Sequence, residues 1–130
     1  MFLRSTIHSL FWLFASGVLL APDSASAHAS VDISTPADRS TLPQAPTEVR
    51  IRFTEAIELA FSRITVKSSS GKTVSRGVLR QPAPNTLTLD LNPLEPGTYR
   101  IEWRVLSVDA HVTHGVLRFT IAPRRTGTAP

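Results

Sequence analysis

The chain has 130 residues and a formal net charge of +4 at pH 7, from 14 Lys and Arg against 10 Asp and Glu. It contains no cysteine and a single methionine, Met1, which excludes a disulfide framework and metal sites built on thiolates. The basic residues are scattered and not interleaved with aromatic ones, so we expect no nucleic-acid binding.

The first 27 residues have the pattern of a secretory signal peptide. Arg4 precedes an apolar run from Leu10 to Leu20, and Ala25 and Ala27 fit the A-x-A cleavage pattern. The alternative is an uncleaved membrane anchor, but the run is shorter than the roughly 20 residues that span a bilayer. We therefore expect cleavage after Ala27 and export to the periplasm. A domain over residues 28–123 and a flexible basic tail over 124–130 would remain.

Cleavage at this point would make His28 the first residue of the processed chain. The free α-amine and the ring Nδ1 of an N-terminal histidine can close a six-membered chelate on a metal ion, which an internal histidine cannot do. One residue would then supply two nitrogen ligands.

Alternation of apolar and polar residues predicts about seven short strands between turn signals. The clearest runs are 49–53, 87–91, 101–105 and 117–121, and weaker candidates are Ala29–Ser34, Ser62–Ser68 and Thr73–Leu79. Turn signals include Gln81-Pro82-Ala83-Pro84 and Glu95-Pro96-Gly97. This pattern predicts an all-β fold, an antiparallel Greek-key β-sandwich of the immunoglobulin-like type.

A second cluster of candidate ligands lies between Ser107 and Gly115. Asp109 and His111 are two residues apart, so in an extended segment both side chains leave the same face with Cα atoms about 6.5–7 Å apart. His114 has the opposite parity and is interpreted as a solvated loop residue. The apolar phase of the preceding strand changes at Leu106, which fits either a β-bulge or the end of the strand.

The combined donors would be one amine, two imidazoles and one carboxylate, from His28, His111 and Asp109. This set of three nitrogens and one oxygen suits tetragonal Cu(II), and the Irving–Williams order favours copper at equal geometry. Zn(II) accepts the same atoms in a tetrahedron and is the competing interpretation.

Over nearly the whole processed chain, these residues resemble the periplasmic copper-resistance proteins of the CopC family. The shared motifs are His28-Ala29, Thr35-Pro36-Ala37-Asp38, Phe53–Glu58, Pro96–Tyr99, Trp103–His111 and Gly115–Phe119. The resemblance implies a cupredoxin-like or immunoglobulin-like sandwich. It also implies one Cu(II) per processed chain, bound through the amine and ring of His28, Asp109 and His111. Glu55 stands where the family has a carboxylate close to the copper ligands, and its place after the apolar face of a strand predicts a polar partner.

The sequence departs from some members of that family in one respect. The stretch from Lys67 to Asn85 contains neither methionine nor histidine, where those members carry a methionine-rich loop that binds Cu(I). We therefore expect no Cu(I) site and no relay between two copper sites.

The resemblance implies a carrier or buffer of Cu(II) in copper homeostasis, resistance or uptake, not an enzyme. The implied partner is a separate multi-pass membrane protein of the CopD type, and we expect a monomer. A histidine-brace copper oxidase or monooxygenase is the alternative, since its ligands are also a terminal amine and two imidazoles. A carboxylate such as Asp109 would occupy a position that oxygen needs. A third interpretation is a metal-free adhesion or assembly sandwich.

Overall fold

The computed structural model describes residues 28–125 and 127, so the expected signal peptide and most of the expected tail lie outside the described residues. The described chain forms eight strands and one short 3-10 helix. The strands are β1 Val31–Thr35, β2 Ser40–Leu42, β3 Glu48–Phe53, β4 Arg63–Ser68, β5 Ser75–Ala83, β6 Thr86–Leu91, β7 Gly97–Leu106 and β8 Val112–Ile121, and the 3-10 helix spans Leu59–Phe61. No helix among these residues has the length and apolar character that crossing a membrane requires.

The eight strands form two four-stranded sheets, in the orders β1-β3-β6-β5 and β2-β8-β7-β4. Only the β5–β6 and β7–β8 hairpins join strands of the same sheet directly, and the other connections cross from one sheet to the other. All pairs are antiparallel except β2 with β8, which is parallel. The predicted all-β sandwich is confirmed, with eight strands and with one parallel pair that the periodicity did not indicate.

The core forms between the sheets from the apolar residues that alternate along each strand. In β3, Val49, Ile51 and Phe53 are fully buried while Arg50 and Arg52 are exposed. Apolar residues at alternate positions of β4, β6, β7 and β8 are buried as well, and each contributes about 1.5–3 kcal/mol relative to exposure. The period-two pattern therefore determines which face of each strand is buried.

The turn predicted at Gln81–Pro84 is wrong, because β5 continues through Pro82 to Ala83. β5 is an edge strand, and Pro82 is tolerated there because an edge position does not need its missing N–H. The hairpin turns later, at Pro84 and Asn85, where the Gln81 amide donates to the carbonyl of Pro84 at 2.9 Å.

β7 pairs with β8 without a register shift from Gly97 opposite Ile121 to Leu106 opposite Val112. The phase change at Leu106 is therefore the end of the strand, and the β-bulge alternative is wrong. The loop assignment of His114 is also wrong, because this residue lies in β8 opposite Arg104. Its side chain is exposed, as expected, but on the outer face of a sheet.

Candidate metal centre

The residues between β7 and β8 form a tight, internally bonded turn. The backbone N–H of Ser107 donates to the carbonyl of His111 at 2.9 Å, and that of Ala110 donates to the carbonyl of Ser107 at 3.0 Å. Ala110 has φ of 69°, a left-handed conformation that is costly for a residue with a Cβ. Val108 N–H donates to the carbonyl of Ala56 at 3.1 Å, which ties the turn to the segment after β3.

Asp109 is held inside this turn by several donors to one oxygen. Its Oδ1 accepts a short hydrogen bond from the hydroxyl of Ser107, whose side chain is only 1% exposed. The same oxygen lies 3.2 Å from Nδ1 of His111 and 3.4 Å from the His111 backbone nitrogen. The Ser107 hydrogen bond, followed by those from His111, holds the pKa of Asp109 below its ordinary value. Asp109 is therefore an anionic carboxylate at neutral pH.

His28 lies directly beside His111. The two ring centroids are 4.7 Å apart, and the rings meet edge to face at 73°. The next residue anchors this position, because Ala29 is only 1% exposed and its carbonyl accepts a hydrogen bond from the Thr113 hydroxyl at 2.8 Å. The residue expected to begin the processed chain is therefore fixed against the start of β8.

Of the residues proposed from the sequence, the structure thus brings His28, Asp109 and His111 to one end of the sandwich. Within residues 28–125, no group of three or more His, Asp or Glu side chains is close enough together to hold a metal. His28 is joined to Ala27 in the full chain, so its nitrogen is a peptide nitrogen here. The contacts among the three residues are pairwise: the His28 ring meets the His111 ring, and the His111 ring meets the Asp109 carboxylate.

Glu55 follows β3 and is half-buried. The residues on either side of Glu55 are bonded close to the candidate ligands. Thr54 N–H donates to the carbonyl of Ser30 at 2.9 Å, two residues after His28, and the Ala56 carbonyl accepts from Val108, next to Asp109. The carboxylate has no hydrogen-bond or ion-pair partner among residues 28–125, so the expected polar partner is not found there.

Two aromatic residues of β7 pack against other rings: Tyr99 belongs to the buried core, and Trp103 is partly buried against it. Tyr99 stacks on Phe119 with centroids 5.4 Å apart, and Trp103 meets Phe53 edge to face at the same distance. The Trp103 indole lies over Gly115, where an added Cβ would be 2.6 Å from Cζ2. Its buried Nε1 has no partner in the described part of the chain.

Sequence reasoning did not assign a role to Ser107, Thr113 or Ala29. Ser107 could have been found, because serine side chains in turns commonly bond nearby backbone groups, as Ser107 bonds that of His111. Thr113 and Ala29 carry no such local signal, because their contact joins positions 84 residues apart.

The donor chemistry of this cluster suits a divalent metal ion. Oδ1 of Asp109 lies 3.2 Å from Nδ1 of His111, so a carboxylate and an imidazole, both common ligands of divalent ions, are side by side. The side chains of His111 and Asp109 are 48% and 37% exposed, so an ion could reach them from solvent without rearrangement of the sandwich.

Comparison with known proteins relates this fold to copper proteins. The chain is 33% identical over 107 residues to "Copper transport protein CutJ" of Bacillus subtilis, and the alignment covers 80% of this chain but only 20% of that protein. The crystal structure of CopC from Methylosinus trichosporium OB3b matches with a TM-score of 0.68 and 32% identity, over 76% of this chain and 98% of that one. PcoC from Escherichia coli, described as a methionine-rich copper resistance protein, matches with a TM-score of 0.66 and 29% identity, over 73% and 99%.

The family assignment rests on the extent of the match. The CopC domain model matches residues 31–122, which include all eight strands. The fold and the sequence agree with the resemblance found in the sequence motifs, and the chain belongs to the CopC family.

Proposed function

We propose that the processed chain binds one Cu(II) ion and acts in the periplasm as a carrier or buffer of copper. The ligands would be the α-amine and ring of His28, the carboxylate of Asp109 and the ring of His111. The observation that carries the proposal is the 4.7 Å contact between the rings of His28 and His111, with Asp109 already bonded to His111.

The contact between Asp109 and His111 supports placing both side chains in one site. Oδ1 of Asp109 lies 3.2 Å from Nδ1 of His111, so a carboxylate oxygen and an imidazole nitrogen are already side by side. Binding one Cu(II) through both side chains would replace this contact with a bond from each donor atom to the metal. Nitrogen donors with one carboxylate oxygen favour Cu(II) over a harder ion.

The role of carrier or buffer follows from the family and from the ligand set. Relatives named for copper transport and copper resistance share this domain. Asp109 would fill a position that an oxygen-activating copper site must keep open, so we propose no enzymatic activity. We propose that copper is exchanged with a separate membrane protein of the CopD type, as the resemblance to the family implies.

A titration of the processed protein tests the proposal. A chain that starts at His28 should bind one equivalent of Cu(II). The electron paramagnetic resonance spectrum of the bound ion should be that of a tetragonal site with mostly nitrogen ligands. A matched chain with one extra residue before His28 lacks the free amine and should bind at least about tenfold more weakly, a difference of about 1.4 kcal/mol. Equal affinities of the two chains, measured with the same competing chelator, would show that the α-amine of His28 does not bind copper.

Two further measurements separate the proposal from its alternatives. Mass spectrometry of the exported protein should show a chain that begins at His28. With ascorbate, the copper-loaded native protein should produce no more peroxide than a mixture of the His111→Ala variant and free copper. A histidine-brace oxidase would produce more peroxide than that mixture.

A further inference from the structure

The outer surface of the β2-β8-β7-β4 sheet carries two rows of basic residues. The strand register places Arg63, Arg104 and His114 side by side in one row, and Lys67, Arg100 and Arg118 in the other. Neighbouring strands are about 4.8 Å apart, and the rows are four residues, or about 13 Å, apart along each strand. We call these six residues the basic face.

Most of this positive charge has no counter-charge. Glu102 lies between the rows and bonds Lys67 Nζ at 2.9 Å and Arg100 Nε at 3.1 Å. Asp38, at the edge of the sheet, accepts from the backbone N–H of Arg118 at 2.8 Å. Across residues 28–125, the side chains of Arg63, Arg104 and Arg118 form no ion pair with a carboxylate.

On the strands of the opposite sheet, two of the four arginines are paired with carboxylates. Arg52 bonds Asp32 at 2.8 Å, and Arg80 bonds Asp90 at 2.9 Å and Glu48 at 3.3 Å. Like charges directly opposite one another destabilise a sheet. The basic face therefore lowers the stability of the domain unless an anionic partner covers it.

A cavity at one end of the basic face has the chemistry of a phosphate site. It has a volume of about 160 Å³ and is lined by Arg100 and Arg118 together with Ser68, Ser69, Thr98 and Tyr99. Guanidinium groups with neighbouring hydroxyls are typical donors to phosphate oxygens.

We propose that the basic face docks on the phosphate-bearing surface of an anionic phospholipid bilayer, with one headgroup phosphate between Arg100 and Arg118. The two rows spread over three strands, so a plane of many phosphates can meet both rows at once, whereas an extended acidic polypeptide would follow only one line. Val116, which is 43% exposed between the rows, would contact the less polar part of the headgroup layer. This proposal does not depend on copper binding.

Docking in this way would also place the candidate metal centre next to the membrane. His114 belongs to the row nearer the β7–β8 turn, and only Val112 and Thr113 separate it from His111. A carrier held on this face would present His111 at the rim of the contact.

Vesicle co-sedimentation of metal-free protein from His28 to Pro130 tests the proposal. This part of the chain includes every strand and every buried core residue described above, and it lacks the apolar leader, which would itself bind lipid. Binding is expected to vesicles of three parts phosphatidylcholine to one part phosphatidylglycerol, not to pure phosphatidylcholine, and to weaken with added salt. Replacing Arg100 and Arg118 together by glutamine should lower the partition coefficient about thirtyfold.

The matched control carries Arg50→Gln and Arg76→Gln, which remove the same charge from the opposite sheet and should lower partition less than about threefold. Equal losses in the two variants, or equal binding to neutral vesicles, would overturn the proposal. Displacement from vesicles by inorganic phosphate, beyond that by chloride at the same ionic strength, would show a free-phosphate site instead. Binding to polyglutamate with none to anionic vesicles would identify an acidic polypeptide as the partner and also refute it.

Discussion

Replacing Ser107 by alanine tests the central contact of the candidate metal centre. The Ser107 hydroxyl is buried, donates to Oδ1 of Asp109, and accepts from the backbone N–H of His111 at 3.4 Å. Loss of these hydrogen bonds should lower the free energy of unfolding by about 1–2 kcal/mol. Because the hydroxyl also fixes the carboxylate that would bind the metal, Cu(II) affinity should fall about tenfold.

The pH dependence of this variant follows from the pKa of Asp109. The Ser107 hydrogen bond is the largest cause of the lowered pKa of Asp109, whose ordinary value is 3.8. The unfolded chain takes up this proton at a higher pH than the folded chain does, so the stability linked to Asp109 is complete above the ordinary pKa. It is lost as pH falls through the lower folded value. The stability difference between the native protein and Ser107→Ala should therefore be constant near neutrality and should narrow below about pH 4.

Urea denaturation followed by the fluorescence of Trp103, the only tryptophan after residue 27, measures stability, and competition with a chelator measures copper affinity. Ser70→Ala is the matched control, because that hydroxyl bonds only to Ser68 in an exposed turn. A Ser107→Ala protein with native copper affinity would show that the position of Asp109 is irrelevant to binding. A stability difference that does not change with pH would refute the assigned cause of the lowered pKa.

Three other predictions follow from the same geometry. Gly115→Ala should destabilise the domain by about 1–3 kcal/mol, because its Cβ would lie 2.6 Å from the Trp103 ring; an unchanged urea midpoint would mean that the indole moves aside freely. His111→Ala should weaken Cu(II) binding far more than His114→Ala, because His114 lies on the outer face of β8. Equal losses of Cu(II) affinity in the two variants, measured by calorimetry, would place His114 in the site. Cu(I) should bind more weakly than Cu(II), since no thiolate or thioether follows Met1, and a competition assay that finds a clear preference for Cu(I) would contradict this.

Much of the sandwich could be predicted because its signal is local. Val49, Ile51 and Phe53 alternate with charged residues, and the same alternation sets their burial in the structure. β2 was missed because Ser40–Leu42 is too short to show any period and owes its place to backbone pairing with β8. The sequence pattern places Pro82 in a turn, because only the sheet order reveals that β5 is an edge strand.

The part of the candidate site that could be predicted consists of residues that are close together in the sequence. The two-residue spacing of Asp109 and His111 predicts that they lie on one face of an extended segment. The extended geometry is wrong, because Ala110 between them is left-handed, but the two side chains contact each other within the β7–β8 turn. His114 was assigned to a loop because its parity alone does not show where β8 begins. The bond from Thr113 to Ala29 could not be foreseen, because it depends on tertiary packing across most of the chain.

Under the proposed cleavage after Ala27, the burial of Ala29 would restrict the order in which this protein matures. The proposed cleavage bond, between Ala27 and His28, lies one residue before a side chain packed in the core and a carbonyl bonded to Thr113. A peptidase needs an extended, accessible segment, so once this anchor has formed, cleavage would require local unfolding. Removal of the leader before the sandwich closes avoids that barrier. Secretion, folding and copper loading would then follow in a fixed sequence, and a chain that folded too early would be trapped without its terminal amine.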